Sequence, residues 1–173
     1  MTTRLELSKL SLLDALDLAT LMEVEAHQRY VTFANQFGVT GGFDPGSFFL
    51  SMADNEAKHG QELSARRKEL FGDTPRRVKL DDLFDVEAPE LGSVRSSMST
   101  LEAFQVALAA EEKARYFYED ALPTITDPDV RSLFAELRDE EIEHVHLLRE
   151  AIAKLPAAAS LGDEIDHDEG PYL

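Results

Sequence analysis

Two Asp-Pro pairs, Asp44-Pro45 and Asp127-Pro128, each precede a long stretch in which apolar residues recur with helical spacing. An aspartate side chain accepts hydrogen bonds from the free backbone N–H groups that begin a helix. Proline suits the first helical position because it has no N–H group to leave unpaired. Each pair therefore predicts the start of a long helix.

Two further helix starts are predicted by polar side chains three residues apart. Ser99 and Glu102 have the spacing of a capping box, and Ser11 with Asp14 forms a similar pair. Together with glycine and proline signals at the far ends, these starts predict four helices over about 11–37, 44–72, 99–122 and 127–156. Each predicted helix is longer than the average helix of a globular protein.

The connections between these helices differ in length. Short connections, GVTGGFDPG and PTITD, join the first helix to the second and the third to the fourth, whereas residues 73–98 separate the second from the third. Two hairpins with one long crossover indicate an all-α, ferritin-like antiparallel four-helix bundle. We expect one domain over residues 1–155, followed by an acidic and mobile tail over 156–173.

The charge balance excludes several classes of partner. The chain has 17 basic and 34 acidic residues and a formal net charge of −17, so we expect no binding to nucleic acid or to an anionic membrane surface. No apolar run approaches the ~20 residues that span a bilayer. The absence of cysteine excludes disulfides and thiolate metal sites. We expect a cytoplasmic protein.

Two Glu-x-x-His pairs fall on the apolar faces of the second and fourth helices. Glu56 and His59 are in phase with Phe49, Met52, Leu63 and Leu70. Glu141 and His144 are in phase with Val130, Phe134, Leu137, Leu148 and Ile152. Two other pairs differ: Glu143 and His146 are in phase with acidic residues, which predicts a solvated face, and Glu164 with His167 lies in the tail.

The first and third helices each carry a glutamate in the core phase and a tyrosine seven residues later. These are Glu23 with Tyr30 and Glu111 with Tyr118. Seven residues make about two turns, so each tyrosine lies on the same stripe as its glutamate. Both pairs are related by an offset of 88 residues, and the two Glu-x-x-His pairs by an offset of 85. The chain is therefore an internal repeat of two similar hairpins.

Buried carboxylates are unfavourable unless they are paired, protonated or bound to metal. Four core glutamates carry four negative charges, which two divalent cations would neutralise. Carboxylate and imidazole ligands without sulfur suit iron or manganese better than copper or structural zinc. The pattern thus predicts a dimetal-carboxylate centre, with two iron ions as the expected metals and manganese also compatible.

The segments EVEAHQRYVTFA, EAKH, EEKARYFY and EEIEH resemble the rubrerythrin-type branch of the ferritin-like superfamily. This resemblance implies metal-ligand roles for Glu23, Glu56, His59, Glu111, Glu141 and His144. It also implies that Tyr30 and Tyr118 donate hydrogen bonds to the carboxylates. The expected reaction is oxidation of Fe(II) with reduction of oxygen or hydrogen peroxide, in a homodimer or higher homo-oligomer.

Two features of the chain depart from the rubrerythrin pattern. Rubrerythrins usually carry a cysteine-ligated rubredoxin domain, and a chain without cysteine requires an external electron donor. Rubrerythrins also place a second glutamate three residues after the ligand of the third helix, where this chain has Ala114. The ligand set is therefore more symmetric, which puts efficient peroxidase activity in doubt.

Several alternatives stay open from sequence alone. The chain could bind iron without catalysis or be cargo of a protein shell, since AAASLGDEI in the tail resembles segments that load ferritin-like cargo. The same ligands also allow a di-manganese catalase or a di-iron oxygenase. We interpret His27 as a residue at the edge of the site. Asn55 and Glu140 either orient the histidines or are solvated.

Overall fold

The structure is a computed structural model that describes residues 6–38, 44–78, 98–156 and 159. Within these ranges it has four α-helices: α1 (Leu12–Phe37), α2 (Pro45–Phe71), α3 (Thr100–Ala121) and α4 (Pro128–Lys154). A short 3-10 turn at Leu7–Lys9 precedes α1. The predicted helix limits agree with these bounds to within two residues at every end.

The predicted capping side chains all form their hydrogen bonds. Asp44 accepts a hydrogen bond of 2.8 Å from the backbone N–H of Ser47. Ser99 and Glu102 form the complete capping box, in which each side chain accepts from the backbone of the other. The side chain of Ser11 accepts from the backbone N–H of Asp14 at the start of α1, and that of Asp127 accepts from two backbone N–H groups at the start of α4. Each such cap contributes typically ~1 kcal/mol to helix stability, so the helix starts are determined locally.

The four helices pack as a bundle in which α1 lies along α2 and α3 lies along α4. Two apolar clusters fill its interior. The Tyr30 cluster includes Phe33, Phe49, Phe104 and Leu148, and the Tyr118 cluster includes Leu16, Leu63, Phe134 and Leu137. On every helix the core glutamates lie between the residues of these two clusters. A polar layer is therefore enclosed by apolar side chains on both sides.

One predicted core residue is not in the core. Leu70 shares the helical phase of Glu56 and His59, but its side chain is 53% exposed in the structure. It lies in the last turn of α2, which ends at Phe71. The helical phase predicts which face a residue occupies, but the apolar contacts of this face end before Leu70.

A second group of buried charges lies near the C-terminal end of α2. Asp17 on α1 is fully buried, and Nε of Arg67 lies 2.5 Å from its Oδ1. Arg67 also donates to the backbone carbonyl of Thr74 at 2.6 Å, and Arg76 lies 3.4 Å from Asp17. This group ties α1 to α2 and to the segment that follows α2.

Most of the predicted tail, including the pair Glu164 and His167, and most of the connection between α2 and α3 lie outside the described residues. The division between residues 155 and 156 therefore stays a prediction. Among the described helices, none is long and apolar enough to cross a membrane.

Candidate metal centre

The structure brings all six predicted ligand residues together in the polar layer of the bundle. The helix α1 contributes Glu23, α3 contributes Glu111, and α2 and α4 each contribute one Glu-x-x-His pair. All of them are buried except His59, which is half-buried. The spacing of three residues places the glutamate and the histidine of each pair on one helix face. Packing of the two hairpins then makes these faces meet.

His144 lies among three carboxylates at one side of the centre. Its Nδ1 atom is 3.2 Å from Oε1 of Glu56, 3.3 Å from Oε2 of Glu111 and 3.7 Å from Oε2 of Glu141. These contacts join α4 to α2 and α3. The arrangement provides carboxylate and imidazole donors that converge on one small volume.

His59 occupies the other side of the centre. Its Nδ1 atom lies 3.9 Å from Oε2 of Glu23 and 3.9 Å from Oε2 of Glu140. The rings of His59 and His144 are nearly parallel, with centroids 5.5 Å apart and an angle of 14° between their planes. The two histidines therefore lie side by side, and each has its own group of neighbouring carboxylates.

Three overlapping groups of potential ligand atoms each lie within 4.8 Å of one another. They are Glu56 with His59 and His144, Glu111 with Glu141 and His144, and Glu23 with His59 and Glu140. Buried atoms in this part of the described chain also lack a hydrogen-bond partner: Glu23 Oε2, Glu56 Oε1, Glu141 Oε2 and His59 Nδ1. Unpartnered buried polar atoms are costly. Bound cations would satisfy them, so the residues fit a dimetal site.

The electrostatics of the apo site favour protonated carboxyl groups. Burial raises the pKa of Glu23 from 4.5 to about 7. Burial also raises the pKa values of Glu56 and Glu141 well above 4.5, and the charge of Glu111 raises them further. Several carboxyl groups in one apolar enclosure cannot all ionise without counter-charges. The apo site is therefore poised to exchange protons for cations.

Glu111 and His144 form the charged pair of the apo site. Burial acts to raise the pKa of Glu111, but hydrogen bonds from His144, Glu141 and Tyr30 outweigh it and lower the value to about 2. For His144, burial acts to lower the pKa, but the carboxylates of Glu111, Glu56 and Glu23 raise it from 6.5 to about 9. His59 differs, because burial lowers its pKa. A neutral imidazole is the form that binds metal.

The two repeat-related tyrosines make different contacts. The hydroxyl of Tyr30 donates a hydrogen bond to Oε1 of Glu111, as expected. The hydroxyl of Tyr118 lies 3.3 Å from Sδ of Met22 on α1 and donates to the sulfur instead of a carboxylate. Both side chains are fully buried, and burial raises both pKa values well above 10. The predicted hydrogen-bond symmetry is therefore incomplete in this structure.

Of the residues that the sequence left open, Glu140 belongs near the centre. Its carboxylate is half-buried beside His59, whereas the repeat-related Asn55 is exposed. The sequence leaves open whether Glu140 orients a histidine or is solvated, because its helical phase is also that of the exposed Glu143 and His146. Its location near the centre could be inferred from the sequence because Glu140 directly precedes Glu141, and a residue next to a core residue borders the core face of the helix.

Two other predictions concern residues outside the centre. Glu143 and His146 are exposed, as predicted, and Nε2 of His146 lies 3.2 Å from Oε1 of Glu150. His27 is half-buried beside the site, and its Nδ1 atom lies 2.9 Å from the backbone carbonyl oxygen of Ala53. His27 is not part of the three ligand groups found among the described residues.

Comparisons with known proteins agree with this geometry. The model of the Rubrerythrin family matches residues 14–152. A solved structure of an uncharacterised conserved protein from Magnetospirillum magnetotacticum MS-1 is 28% identical, with a TM-score of 0.71 over 85% of this chain and 97% of that chain. A hypothetical protein from Pyrococcus furiosus is 19% identical, with a TM-score of 0.56 over 86% and 92%, and supports the fold alone. No curated protein gives a significant match.

Proposed function

This chain belongs to the rubrerythrin family, and from that membership and its buried Glu/His clusters we propose that it is a non-haem dimetal redox protein. We propose two iron ions as its metals and oxidation of Fe(II) by oxygen or hydrogen peroxide as its reaction. The observation that carries the proposal is the set of unpartnered buried oxygens on Glu23, Glu56 and Glu141. Burial of these oxygens without a partner is costly, and bound cations would offset that cost.

Each side chain of the centre has a distinct role in this proposal. Glu23, Glu111, Glu56 and Glu141 would hold the metals, with His59 and His144 as nitrogen donors. Iron bound there would supply one electron per ion, so that two Fe(II) ions and two protons reduce one peroxide to two water molecules. The two apolar clusters exclude bulk water on both sides. Tyr30 holds a proton at its hydroxyl, next to Oε1 of Glu111.

The proposal is tested by measuring iron binding and iron oxidation separately. Apo-protein is loaded with Fe(II) without oxygen, the iron per chain is determined, and oxidation by each oxidant is followed by near-ultraviolet absorbance in stopped flow. We expect two iron ions per chain and oxidation much faster than that of Fe(II) in buffer. Iron that binds but oxidises no faster than in buffer would instead identify a non-catalytic iron-binding protein.

Two adjacent glutamates provide a matched pair of variants. Glu111 is buried in the centre, whereas Glu112 pairs with Arg149 at the surface at 2.5 Å. Glu111→Gln removes one negative charge from the site and should lower both iron content and oxidation rate. Glu112→Gln removes the same charge from the surface and should leave both close to wild type. Equal losses in the two variants would contradict the site.

A further inference from the structure

A cleft of about 400 Å³ lies between α1 and α2, beside the candidate metal centre. Its described walls are small, apolar or neutral polar: Thr20, Val24, His27, Ala57, Gly60, Gln61 and Ser64. Glu23 and Glu56 complete the lining. Because these two side chains are buried, they form the floor of the cleft. The cleft therefore leads from the surface to two of the proposed metal ligands.

His27 stands in the wall of this cleft in a state suited to binding a cation. Its Nδ1 atom lies 2.9 Å from the carbonyl oxygen of Ala53. A carbonyl oxygen only accepts, so Nδ1 must carry the hydrogen, which leaves the lone pair on Nε2. Metal-binding histidines commonly donate their other ring N–H to a backbone carbonyl in this way. The contact thus fixes the tautomer that binds metal.

Gly60 keeps the cleft open next to its floor. A Cβ atom at position 60 would lie 3.4 Å from Cβ of Glu23, so alanine would just fit and a longer side chain would occupy the cleft. No lysine or arginine is found among the described residues that line it. A divalent cation would therefore meet neutral walls, a histidine and then two carboxylates.

A second cleft, of about 230 Å³ between α2 and α4, is the alternative path to the centre. It includes Glu62, Glu136 and Glu140, but also Arg66, whose guanidinium pairs with Glu136 at 3.0 Å. The net charge of this lining is negative and attracts cations, but the ion pair of Arg66 and Glu136 bridges α2 and α4 across the cleft. The cleft is also smaller, and it reaches the centre at the half-buried His59 and Glu140 instead of at the two buried carboxylates of Glu23 and Glu56.

We propose that divalent cations reach the centre through the α1–α2 cleft and that His27 binds them on the way. The proposal rests on the proposed function only in requiring a metal centre, not in requiring redox activity. It assigns to His27 a transient role in uptake, distinct from that of the six permanent ligands. His27 should therefore affect the rate of metal uptake more than the final amount of metal bound.

The two clefts can be blocked separately because the chain contains no cysteine and because adjacent residues line different clefts. Gln61 lines the α1–α2 cleft and Glu62 lines the α2–α4 cleft, and both are exposed. Gln61→Cys and Glu62→Cys are each modified with a bulky neutral thiosulfonate reagent. Uptake of Co(II) by the apo-protein is then followed by visible absorption in stopped flow, before and after modification, and again after a reductant removes the label.

Modification at position 61 should slow Co(II) uptake severalfold, because the label fills the cleft through which the ion passes. Modification at position 62 should change the rate little, and the final Co(II) content should be unchanged in both. Slowing at position 62 alone, or at neither position, would overturn the α1–α2 route. Co(II) absent even from the unmodified protein would overturn the metal centre as well.

His27→Gln tests the histidine itself, with His146→Gln as the matched control on the exposed face of α4. We expect His27→Gln to take up Co(II) more slowly but to reach the same final content, whereas His146→Gln should behave as wild type. An unchanged uptake rate in His27→Gln would overturn the transient role. A loss of one bound Co(II) would also overturn it, since His27 would then be a permanent ligand.

Discussion

The hydroxyl of Tyr30 on α1 donates a hydrogen bond to Glu111 on α3, and this bond links the two hairpins at the candidate metal centre. The other carboxylate oxygen of Glu111 lies 3.3 Å from Nδ1 of His144. Glu111 is therefore held on both sides, and hydrogen bonding lowers its pKa to about 2 against the opposing effect of burial. It is the one glutamate of the four whose pKa is lowered.

Tyr30→Phe should weaken metal binding by removing this hydrogen bond. The ring still fills its place in the Tyr30 cluster, so the fold should be retained. Loss of a residue that orients a metal ligand costs roughly 10- to 100-fold in metal affinity. Competition with a chelator, using Co(II) as the metal, measures the change.

Tyr118→Phe is the control for this experiment. Its hydroxyl donates only to Sδ of Met22 among the described residues, so the same substitution should alter metal affinity less. Equal effects of the two substitutions would indicate that Tyr118 turns towards a carboxylate when metal is bound, as the internal repeat predicts.

The apo-protein should lose stability as the pH rises from weakly acidic to basic values. The folded-state pKa of Glu23 is raised from 4.5 to about 7, so its contribution is full below pH 4.5 and is lost as the pH rises through 7. The folded-state pKa of His144 is raised from 6.5 to about 9, so its contribution to stability is lost as the pH rises through 9. Calorimetry of the apo-protein should show a melting temperature that falls across this range. A melting temperature that rises from pH 5 to pH 8 would contradict buried carboxyl groups.

Glu111 has the opposite effect on the stability of the apo-protein at low pH. Its folded-state pKa is lowered from 4.5 to about 2, so its contribution is present above pH 4.5 and is lost as the pH falls through 2. The apo-protein should therefore be most stable in weak acid.

Metal binding should raise the melting temperature at neutral pH. A ligand that binds only the folded state stabilises it by about 2.7 kcal/mol at a free concentration of a hundred times its dissociation constant. The gain should increase with pH, because metal binding requires the deprotonated carboxylates. Calorimetry with and without Co(II) measures the rise in melting temperature. Identical melting curves would count against a buried metal site.

Two double variants test whether Glu141 and His144, or instead Glu143 and His146, provide the metal ligands of α4. Replacing His59 and His144 together with alanine should abolish metal loading while circular dichroism still reports a helical protein. Replacing Glu143 and His146, which are exposed, should leave two metals per chain. Stoichiometric metal in the first variant, or a large loss in the second, would show that the ligand assignment is wrong.

Ala114→Glu should raise reactivity with peroxide relative to oxygen. Position 114 is half-buried on α3, one turn beyond Glu111, where rubrerythrins carry their additional glutamate. A further carboxylate gives the metal on that side another ligand to exchange when its oxidation state changes. Stopped-flow oxidation of the iron-loaded protein by each oxidant compares wild type with the variant. A wild type that already prefers peroxide strongly, and a variant that does not differ from it, would refute this role.

Local chemistry in the sequence determined the helices and indicated most of the candidate ligand set. Caps such as Asp44 and Ser99 act within one turn, so their effect can be inferred without knowing the rest of the fold. The candidate ligands could be proposed from sequence because the repeat places Glu56 and Glu141 in equivalent apolar phases. Burial of a charged residue on an otherwise apolar stripe indicates function before any contact is known.

Contacts between helices were decided only by the tertiary structure. Helical phase could not predict that Tyr30 reaches Glu111 while Tyr118 reaches Met22, because that choice depends on how closely α1 and α3 pack. The buried pair of Asp17 and Arg67 escaped prediction for the same reason, since its partners come from different helices. Periodicity predicts the direction in which a side chain leaves its own helix axis. A hydrogen bond between helices, or a cleft between them, also depends on the distance between the two helix axes.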